Sequence, residues 1–515
     1  RRNTFGMAMR CRISPANAAQ RSTLCCRDRG DAMQATPLAA FEQVVTRFPG
    51  REAIRVGGHS ECFDTLSRRA DAMARMFAAE GVVSGRYVLI SAPNSVGVAA
   101  AIPAIWSLGA IPAFLSPNVL AERCAEVIAR VNPAIILTED VLCSAPAPSK
   151  SVLAVFSGNS AEIGSIVFTS GSTGVPKGVE QRAVTLVDGA RRLASYQGYA
   201  AEERILCPVP WSHDYGWGQL LSCLTLGKTL ILPEAQSAAA VCEAIGAAQP
   251  TLVAGVPSFF ANLLFGVSDI ARTDISSIRR LTSTGSRFSA ELLEAVGETF
   301  PGASAWLNYG LTETFRTACL TPVLQSEAPE SIGRAIPSVT VSAFDRDGRS
   351  LGPEEEGELV HFGPGMFHGY FADPERSGST RRWAGDNHYS LPEDATGVAT
   401  GDLGVVDGAG RIHLTGRMDR QIKSLDVGIN LDEVEAALHG SGLLSNVAVI
   451  SEPHRLLGNK IIAHCVVKPG NEPREVKRFA KREMSKYLQP RKFVIAEALP
   501  MTAAGKIDYR VRTLA

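Results

Sequence analysis

Short β-rich runs closed by glycine or proline alternate with segments of helical apolar spacing along most of this chain. The segment "PLAAFEQVVTRF" (37–48) has apolar residues at helical intervals. The runs "SIVFTS", "TLILP", "TLVAGVP" and "GELVHFG" are typical of strands. Such alternation predicts an α/β fold of stacked layers with parallel sheet. Because 515 residues exceed what one compact core holds, we expect a multi-domain protein.

The composition changes near Gly416, where "GRMDRQIKS" is dense in charge and a lysine-rich segment follows. That segment contains two strand-like runs, "NVAVIS" and "KIIAHCVVK", flanked by helical patterns. We therefore predict a large N-terminal domain of stacked α/β sheets (33–418) and a small, mobile α+β C-terminal domain (419–515). Residues 1–32 are Arg-rich and acid-poor, which we interpret as a disordered or non-native extension, with a transit peptide as the alternative.

Charge and cysteine content restrict the class of protein. Lys+Arg and Asp+Glu are equal at 52 each. This balance argues against a protein that binds nucleic acid or an anionic membrane, because such a protein needs an excess of basic residues. The 11 cysteines include no C-x-x-C pair, which favours free thiols and a cytoplasmic location. The uncharged run 96–115 is long enough to cross a bilayer, but Pro103, Gly109 and Pro112 interrupt it. We predict a buried helix followed by a buried strand there, and no transmembrane segment.

The stretch "SIVFTSGSTGVPKGVEQRA" (165–183) has the composition of a phosphate-binding loop. Its glycines allow the backbone to approach a polyphosphate, its Ser and Thr hydroxyls are donors, and Lys177 adds charge. It does not fit the pattern G-x-x-x-x-G-K-[ST] of a Walker loop, because Pro176 precedes Lys177 and Gly178 follows it. Alone, the stretch is equally consistent with a surface turn.

Further motifs give this loop a context. "TSGSTGVPKGV", "NYGLTET", "ATGDLG", "GRMDRQIK" and "PMTAAGKIDYR" follow one another in this order. Together they resemble the AMP-forming adenylate synthetase superfamily, which includes acyl-CoA synthetases, adenylation domains of nonribosomal peptide synthetases, and luciferases. The chain is most similar to stand-alone bacterial acyl- or aminoacyl-activating ligases. The resemblance implies ATP-dependent conversion of a carboxylic acid to an acyl-adenylate with Mg²⁺, then transfer to a thiol of CoA or of a carrier-protein phosphopantetheine.

The resemblance also implies a nucleotide site. The residues expected to cradle the β- and γ-phosphates are Thr169, Ser170, Gly171, Ser172, Thr173, Gly174 and Lys177. The residues expected around adenine are Asn308, Tyr309 and Gly310, with Gly285, Ser286 and Arg287 forming the opposite wall. Asp402 would accept both ribose hydroxyls, and Arg417 would add a donor or, alternatively, form an ion pair between domains.

Four residues are expected to act directly in catalysis. Lys506 would bridge the acid and the α-phosphate and neutralise charge in the transition state. Thr312 would bond the α-phosphate, and Glu313 would hold Mg²⁺, a cation that prefers carboxylate and phosphate oxygens. His213 would gate the acid site. Because Lys506 lies on the small domain, that domain must close for adenylation and then rotate about the hinge, Asp419, to admit the thiol.

The segment "VPWSHDYGWGQLL" is expected to form the acid-substrate wall, with Trp211, His213, Asp214 and Gly216 contacting substrate. His213 fits fatty- and aryl-acid members of the superfamily. The following Asp214 instead fits amino-acid-activating members, in which a carboxylate holds the substrate ammonium. A buried carboxylate requires a partner. Here the partner is either that ammonium or a protein group: Asp214 caps the next helix or pairs with a base such as Arg316.

The stretch "KSLDVGINLDEVE" departs from the usual K-x-x-G-x-R, with Asp426 replacing the glycine and Gly428 the arginine. The Asp426 side chain would alter the shape and charge of the pantetheine tunnel. The thiol acceptor is therefore left open between CoA and an acyl- or peptidyl-carrier protein. Three hypotheses result. The first is an acid–thiol ligase, the second is amino-acid adenylation with loading of a peptidyl-carrier protein, and the third is an adenylate-only or non-catalytic ligand-binding protein.

Overall fold

The structure is a computed structural model that describes residues 36–119, 121–144, 162–169, 176–389, 391–424, 427–454, 458–485, 488–501 and 507–509. At positions 419, 421, 423, 424, 427, 428, 453, 454 and 458 only the backbone is described. The expectation for residues 1–32 therefore lies outside the described residues.

The strands of the described residues, in chain order, are β1 Glu52–Val56, β2 His59–Cys62, β3 Tyr87–Ile90, β4 Ile111–Phe114, β5 Ile135–Leu137, β6 Ile163–Thr169, β7 Lys177–Arg182, β8 Arg204–Leu206, β9 Thr229–Leu232, β10 Leu252–Gly255, β11 Arg280–Ser283, β12 Ser304–Tyr309, β13 Ala318–Leu320, β14 Arg334–Ala335, β15 Thr340–Phe344, β16 Glu356–Phe362, β17 Gly369–Tyr370, β18 Arg381–Trp383, β19 Thr396–Val406, β20 Ile412–Arg417, β21 Gln421–Ser424, β22 Val427–Asn430, β23 Leu444–His454, β24 Gly458–Val467 and β25 Lys492–Ile495.

The α-helices of the same residues are α1 Pro37–Arg47, α2 Phe63–Ala79, α3 Val96–Ser107, α4 Ala121–Val131, α5 Glu139–Cys143, α6 Ala183–Tyr196, α7 Asp214–Leu226, α8 Ala238–Ala248, α9 Pro257–Phe265, α10 Ala290–Thr299, α11 Pro322–Glu327, α12 Pro374–Ser379, α13 Leu431–His439 and α14 Pro473–Glu483. Two short 3₁₀ segments, Ile270–Arg272 and Met418–Arg420, complete the set.

Two large mixed sheets form the framework of the N-terminal part. One has the order β17-β7-β6-β4-β3-β5, and the other has the order β14-β13-β12-β11-β10-β8-β9-β1-β2. The six-stranded sheet is parallel from β6 to β5 and antiparallel at its β7–β17 end. The nine-stranded sheet is parallel from β12 to β1 and antiparallel at both ends. The predicted α/β class with parallel sheet is thus confirmed for the central strands, whereas the antiparallel strands at the sheet ends were not predicted.

Alternate residues of the large-sheet strands pack into different cores, as the two-residue period of a strand requires. Ile205 and Leu230 join a core that also contains residues of both large sheets and of α2, α3 and α7. Their strand neighbours Leu206 and Ile231 pack in a second core with α8, α9 and α10. Helices therefore cover both faces of the nine-stranded sheet, and its central strands β9 and β10 are buried along their whole length.

The uncharged run at 96–115 forms helix α3 followed by strand β4, as predicted, but Pro103 lies inside the helix and does not interrupt it. Ser95 caps the helix by accepting a hydrogen bond from the Val98 backbone N–H at 3.2 Å. Nearly all side chains of α3 and β4 are buried in the protein core rather than available to lipid. Within the described residues, no helix is both long and apolar enough to cross a membrane.

A third, antiparallel sheet of order β15-β16-β19-β18, with β20 paired to β19, follows the two large sheets. Beyond it, strands β23-β24-β25 form a separate three-stranded sheet against α13 and α14. This last unit has its own hydrophobic core, whose buried members all lie between Ile429 and Met484. The class expected from sequence, a large α/β part and a smaller C-terminal part, agrees with this architecture.

Candidate active site

The predicted phosphate loop connects two antiparallel strands. β6 ends at Thr169 and β7 begins at Lys177, and these two residues face each other in the ladder. The loop is therefore the tip of a hairpin, whereas a Walker loop leads from a strand into a helix. Ser170, Gly171, Ser172, Thr173 and Gly174 lie outside the described residues. Phosphate binding by this loop remains a prediction.

The predicted adenine residue Asn308 is buried near the end of β12, and its amide is engaged on both sides. Its Oδ1 accepts from the Tyr196 hydroxyl at 2.6 Å and from Gln197 Nε2 at 3.1 Å. Its Nδ2 donates to Thr282 Oγ1 at 2.9 Å. The side chain thus holds β12 to helix α6 and strand β11. A contact with adenine remains a prediction. Adenine would have to share the Asn308 amide with the protein groups that already bond it.

The opposite wall expected for adenine, Gly285 to Arg287, is an exposed loop that follows β11. Gly285 has a φ of 100°, a backbone conformation that would be strained in a residue with a side chain. The loop is tied to β12, because the Thr284 hydroxyl donates to the Asn308 carbonyl at 2.9 Å. Arg287 donates to the Pro329 carbonyl at 2.7 Å. The two predicted walls are therefore linked directly.

Asp402, Tyr309 and Arg417 meet as a cluster. Asp402 is buried on β19, and its Oδ2 accepts from the Tyr309 hydroxyl at 2.5 Å. Its Oδ1 accepts from Arg417 Nη1 at 2.7 Å, across the β19–β20 ladder in which the two residues are partners. Burial, and next the Asp402 charge, hold the pKa of Tyr309 well above its usual value. The phenol is therefore a fixed donor to an ionised carboxylate.

Thr312 and Glu313 follow β12 in a tight turn that begins at Gly310. A Cβ at Gly310 would lie 2.9 Å from Arg316 Cα, so the turn has no room for a side chain there. The Glu313 Oε1 accepts from the Tyr370 hydroxyl at 2.7 Å, and the Glu313 carbonyl accepts from Phe367 N at 2.8 Å. These contacts fix Glu313 beside β17.

Asp214 has protein partners on both carboxylate oxygens. Its Oδ2 accepts from Arg316 Nη1 at 2.9 Å, and its Oδ1 accepts from Gln181 Nε2 at 2.8 Å. The alternative that Asp214 pairs with Arg316 is confirmed, and Asp214 is also the first residue of α7. Burial raises the pKa of Asp214, while the Arg316 charge and the two hydrogen bonds oppose that rise. The carboxylate therefore needs no ammonium group from a substrate to be compensated.

The other predicted wall residues have mixed surroundings. His213 directly precedes α7 and is less buried than its neighbours, and its role as a gate remains a prediction. Trp211 is buried, and its backbone N–H donates to Asn94 Oδ1 at 2.8 Å. At Gly216 a Cβ would lie 2.4 Å from the Pro210 carbonyl oxygen, so this glycine permits a close approach of backbones. Substrate contacts for these three residues remain predictions.

The catalytic lysine predicted from sequence, Lys506, lies outside the described residues, as does Asp426. The residues on either side of 502–506 are held together, because Met501 and Ile507 form a β-bridge and Asp508 N donates to the Pro500 carbonyl at 2.8 Å. The predicted hinge, Asp419, is the middle residue of the 3₁₀ segment that follows β20. Gly428 lies on β22 opposite Lys423.

Sequence reasoning missed three contributors to the site. Tyr370 bonds Glu313 from 57 residues away, and no spacing rule pairs them. Tyr196 reaches Asn308 from helix α6. Gln181 accepts from Ser165 and Trp217 and donates to Asp214. It shares a buried face of β7 with Val179, so a glutamine at an inward strand position was the available signal.

Two family descriptions match this chain. Residues 41–163 and 155–371 match the family described as AMP-binding enzyme, and residues 433–506 match the AMP-binding enzyme C-terminal domain. The chain belongs to the AMP-binding enzyme family. Within it, the protein is an AMP-forming acid–thiol ligase.

Two relatives correspond to the two alternatives that the sequence left open, amino-acid adenylation and acid–thiol ligation. A linear gramicidin synthase of Brevibacillus parabrevis is 28% identical over 490 residues, which cover 92% of this chain but 6% of that protein. Peroxisomal OPC-8:0-CoA ligase 1 of Arabidopsis thaliana is 26% identical over 489 residues, which cover 87% of each chain. The chain thus spans most of the CoA ligase and only a small part of the gramicidin synthase.

Among solved structures, o-succinylbenzoate CoA synthetase of Bacillus subtilis superposes with a TM-score of 0.80 at 23% identity. The match covers 92% of this chain and 98% of that one. It was solved with an acyl-adenylate intermediate and also with ATP and magnesium. At this identity the likeness confirms the fold, a large α/β part with a smaller C-terminal part.

Proposed function

We propose that this protein adenylates a small carboxylic acid and transfers the acyl group to a thiol, and that the residues assembled above perform the first step. The acid carboxylate attacks the α-phosphorus of ATP, a P–O bond forms, and pyrophosphate leaves. The thiol then attacks the acyl carbon and AMP leaves. The observation that carries the proposal is the Asp402–Tyr309–Arg417 cluster, because it presents a buried, oriented carboxylate at the end of β12.

In this proposal Asp402 binds the ribose hydroxyls. Each oxygen of an ionised carboxylate can accept two hydrogen bonds, so both can accept from ribose while retaining Tyr309 and Arg417. The Tyr309 hydroxyl fixes the carboxylate orientation, and the tyrosine ring offers a face to adenine. Thr169, Lys177 and the loop between them hold the departing pyrophosphate, and Thr312 bonds the α-phosphate.

Glu313 is the proposed Mg²⁺ ligand. Among the described residues, no group of three or more His, Cys, Asp or Glu side chains could hold a metal ion. One carboxylate is nevertheless the donor set expected when Mg²⁺ is shared with ATP phosphates and water. Tyr370 would orient that carboxylate, and the bound ion would neutralise charge on the phosphates.

Lys506 is the proposed catalytic lysine, carried by a small domain whose boundary we place at Asp419. The separate core at 429–484 supports a unit able to move as a body. Lys506 would place its ammonium between the acid and the α-phosphate and stabilise the charge that both bring. The same unit would rotate at Asp419 before thiol transfer.

The pairing of Asp214 with Arg316 favours a carboxylic acid over an amino acid as substrate. A substrate ammonium would be required if the buried Asp214 lacked a counter-charge, but Arg316 supplies one at 2.9 Å. For the acceptor, we propose CoA or an acyl-carrier protein. We place the enzyme in the cytoplasm, which the free thiols of the described cysteines support, although one relative is named as peroxisomal.

Acid-dependent exchange of pyrophosphate into ATP tests the proposal. Purified protein is assayed with fatty, aromatic and amino acids, and AMP release is then measured with CoA or carrier protein. We expect exchange with at least one acid that is not an amino acid. Asp402→Asn should lower kcat/KM for ATP by about 100-fold or more through a raised KM for ATP. Absence of exchange with every acid would support the non-catalytic alternative.

A further inference from the structure

Helix α14, in the C-terminal unit, presents a strongly basic side to solvent. Its Val476 and Ala480 are buried in the core of that unit. Residues at the spacings i, i+3, i+4 and i+7 share one side of a helix. On the side opposite the core, these positions are occupied by four exposed basic residues, Arg474, Lys477, Arg478 and Lys481. These four residues are called the basic face below.

The charge of this region differs from that of the whole chain. Residues 473–495 contain eight Lys or Arg and two Asp or Glu, whereas the chain has 52 of each kind. Arg491 and Lys492, around the start of β25, are also exposed. They follow Gln489, whose Nε2 donates to the Met484 carbonyl at the C-terminal end of α14 at 3.0 Å. The positive charge is therefore local, and it continues from the helix onto the neighbouring strand.

Exposed basic residues on another long helix of this chain are neutralised within that helix. In α2, Arg68 pairs with Asp64 and Arg75 pairs with Asp71, both at 2.6 Å and both at the i,i+4 spacing. In α14 the residues at i,i+4 are instead basic at both positions, and like charges at this spacing destabilise a helix. The basic face therefore lacks the acid–base pairing that an exposed helix of this chain otherwise uses.

The protein itself compensates little of this charge. Arg474 pairs with Glu472, and both side chains are largely exposed. Among the residues that the structure describes, no ion pair involves Lys477, Arg478 or Lys481. The helix dipole favours cations in the last turn, which accounts for Lys481 but not for Arg474 in the first turn. Compensation is thus left to salt ions or to an anionic partner.

The form of the basic face favours a protein as that partner. Arg474 and Lys481 are seven positions apart, so the charges extend over about 10 Å along a convex helix and do not converge on one phosphate group. A helix that binds a membrane surface inserts its apolar side, whereas the apolar side of α14 is already buried in the core. Spaced cations are complementary to the spaced carboxylates of an acidic protein surface.

We propose that the basic face of α14 is the docking surface for an acidic carrier protein whose pantetheine thiol accepts the acyl group. This rests on the proposed function, because it selects one of the two acceptors named there. The thiol releases its proton to water and forms a C–S bond with the acyl carbon, while the C–O bond to AMP breaks. The face belongs to the unit that is proposed to rotate before thiol transfer, so a docked carrier moves with that unit.

The test compares two acceptors, the pantetheinylated form of a bacterial acyl-carrier protein with a net negative charge, and free CoA. The enzyme is first loaded with acyl-adenylate from ATP and the acid that gives the fastest pyrophosphate exchange, and thioester formation is then measured. The variant is Lys477→Glu/Lys481→Glu. The matched control is Arg272→Glu/Arg279→Glu, which makes the same change in net charge at two exposed residues of the N-terminal part. Circular dichroism and pyrophosphate exchange verify folding and adenylation in both.

The variant should lower kcat/KM for the carrier protein by about 10-fold or more, because complementary charge accelerates association on this scale. Transfer to CoA and pyrophosphate exchange should change little, since neither requires the basic face. Raising the salt concentration from about 0.05 M to about 0.5 M should remove most of the difference between the unmodified chain and the variant. The control should behave as the unmodified chain at every salt concentration.

Three outcomes would overturn the inference and leave adenylation standing. An equal loss for carrier protein and CoA would assign the face to CoA binding or to general stability. Binding to phosphatidylglycerol vesicles that the variant loses, with carrier transfer unchanged, would assign the face to a membrane. An unmodified chain that transfers to CoA but not to the carrier protein would remove the carrier as acceptor. Absence of pyrophosphate exchange with every acid would instead overturn the proposed function, and this inference with it.

Discussion

The Tyr370 phenol donates a 2.7 Å hydrogen bond to the carboxylate of Glu313, although 57 residues separate them in the chain. Burial, and next the Glu313 charge, raise the pKa of Tyr370 above its usual value, so the phenol keeps its proton. Tyr370 is on β17, which pairs with β7 of the loop hairpin. The proposed metal ligand and the proposed phosphate loop are therefore held by the same sheet edge.

Tyr370→Phe should raise the Mg²⁺ concentration for half-maximal exchange by about 10-fold, because residues that orient a metal ligand affect metal affinity on this scale. The measurement is pyrophosphate exchange as a function of Mg²⁺ at saturating ATP and acid. Tyr389→Phe is the matched control, since its hydroxyl has no hydrogen-bond partner among the described residues. An identical Mg²⁺ dependence in both variants would remove Tyr370 from the metal site.

Gly189→Ala should destabilise the fold by about 1–3 kcal/mol, because its Cβ would lie 2.7 Å from the buried Phe315 ring. Gly246→Ala should instead stabilise by roughly 0.5–1 kcal/mol, since that position on α8 has nothing within 4 Å and alanine favours helix. Urea unfolding measures both variants. Stabilisation by Gly189→Ala would mean that Phe315 can move away without cost.

His361 should make the protein sensitive to acid. The imidazole is buried between the Thr317 hydroxyl and the Pro364 carbonyl, both at 3.1 Å, and burial lowers its pKa to about 4. Its Nε2 donates to Pro364, so Nδ1 accepts from Thr317 and the ring is neutral. Between pH 6.5 and 4 the unfolded chain binds a proton that the folded chain does not. Stability at this site therefore falls as the pH falls through that window.

The comparison is urea unfolding of the unmodified chain and of His361→Gln at pH 7 and pH 5. From pH 7 to pH 5 the unmodified chain should lose about 2 kcal/mol more than the variant. Other groups that titrate in this range contribute to both chains and cancel in the difference. Equal losses in the two chains would show that the imidazole is protonated in the folded state.

Tyr509 should control the position of the segment that carries Lys506. The Arg420 guanidinium lies 4.0 Å from the Tyr509 ring centroid, and the Tyr509 hydroxyl donates to Glu435 at 3.0 Å. Tyr509→Ala should lower the rate of adenylation by about 10-fold or more, as expected for a misplaced catalytic group. Transfer from supplied acyl-adenylate should change little, because that step does not require Lys506 in this proposal.

Lys506→Ala is the reference for this experiment, with adenylation lost and transfer retained. Tyr509→Phe keeps the ring over Arg420 and should behave nearly as the unmodified chain. If Tyr509→Ala slows both half-reactions equally, its role is general stability rather than placement of Lys506.

Much of the framework could be predicted from the sequence because it depends on local pattern. The uncharged run at 96–115 forms a buried helix and strand since Pro112 and Gly109 end the helical segment where expected. Strand β16 falls on "GELVHFG", and helix α1 begins at Pro37 behind its cap Thr36. Short-range periodicity and capping chemistry are sufficient for such elements.

The side-chain contacts of the site depend on chain segments that lie far apart in sequence. Arg316 could be named as one candidate partner of Asp214, but at a sequence separation of 102 nothing in the intervening chain selects it. Asn308 was expected to face adenine, and its amide lies among Tyr196, Gln197 and Thr282 because of the strand face it occupies. Such contacts follow from the stacking of helices on sheets, which one sequence does not specify.

Strand β7 extends from Lys177 at the loop hairpin to Gln181 beside Asp214, so one short stretch of backbone joins the nucleotide side to the acid side. If ATP binds Lys177 as proposed, a displacement of this residue would be transmitted along the strand to the Gln181 amide that holds Asp214. Thermodynamic reciprocity then requires the acid to change the affinity for ATP by the same factor that ATP changes the affinity for the acid. The coupling between the two substrate affinities would thus be a measurable property of this strand.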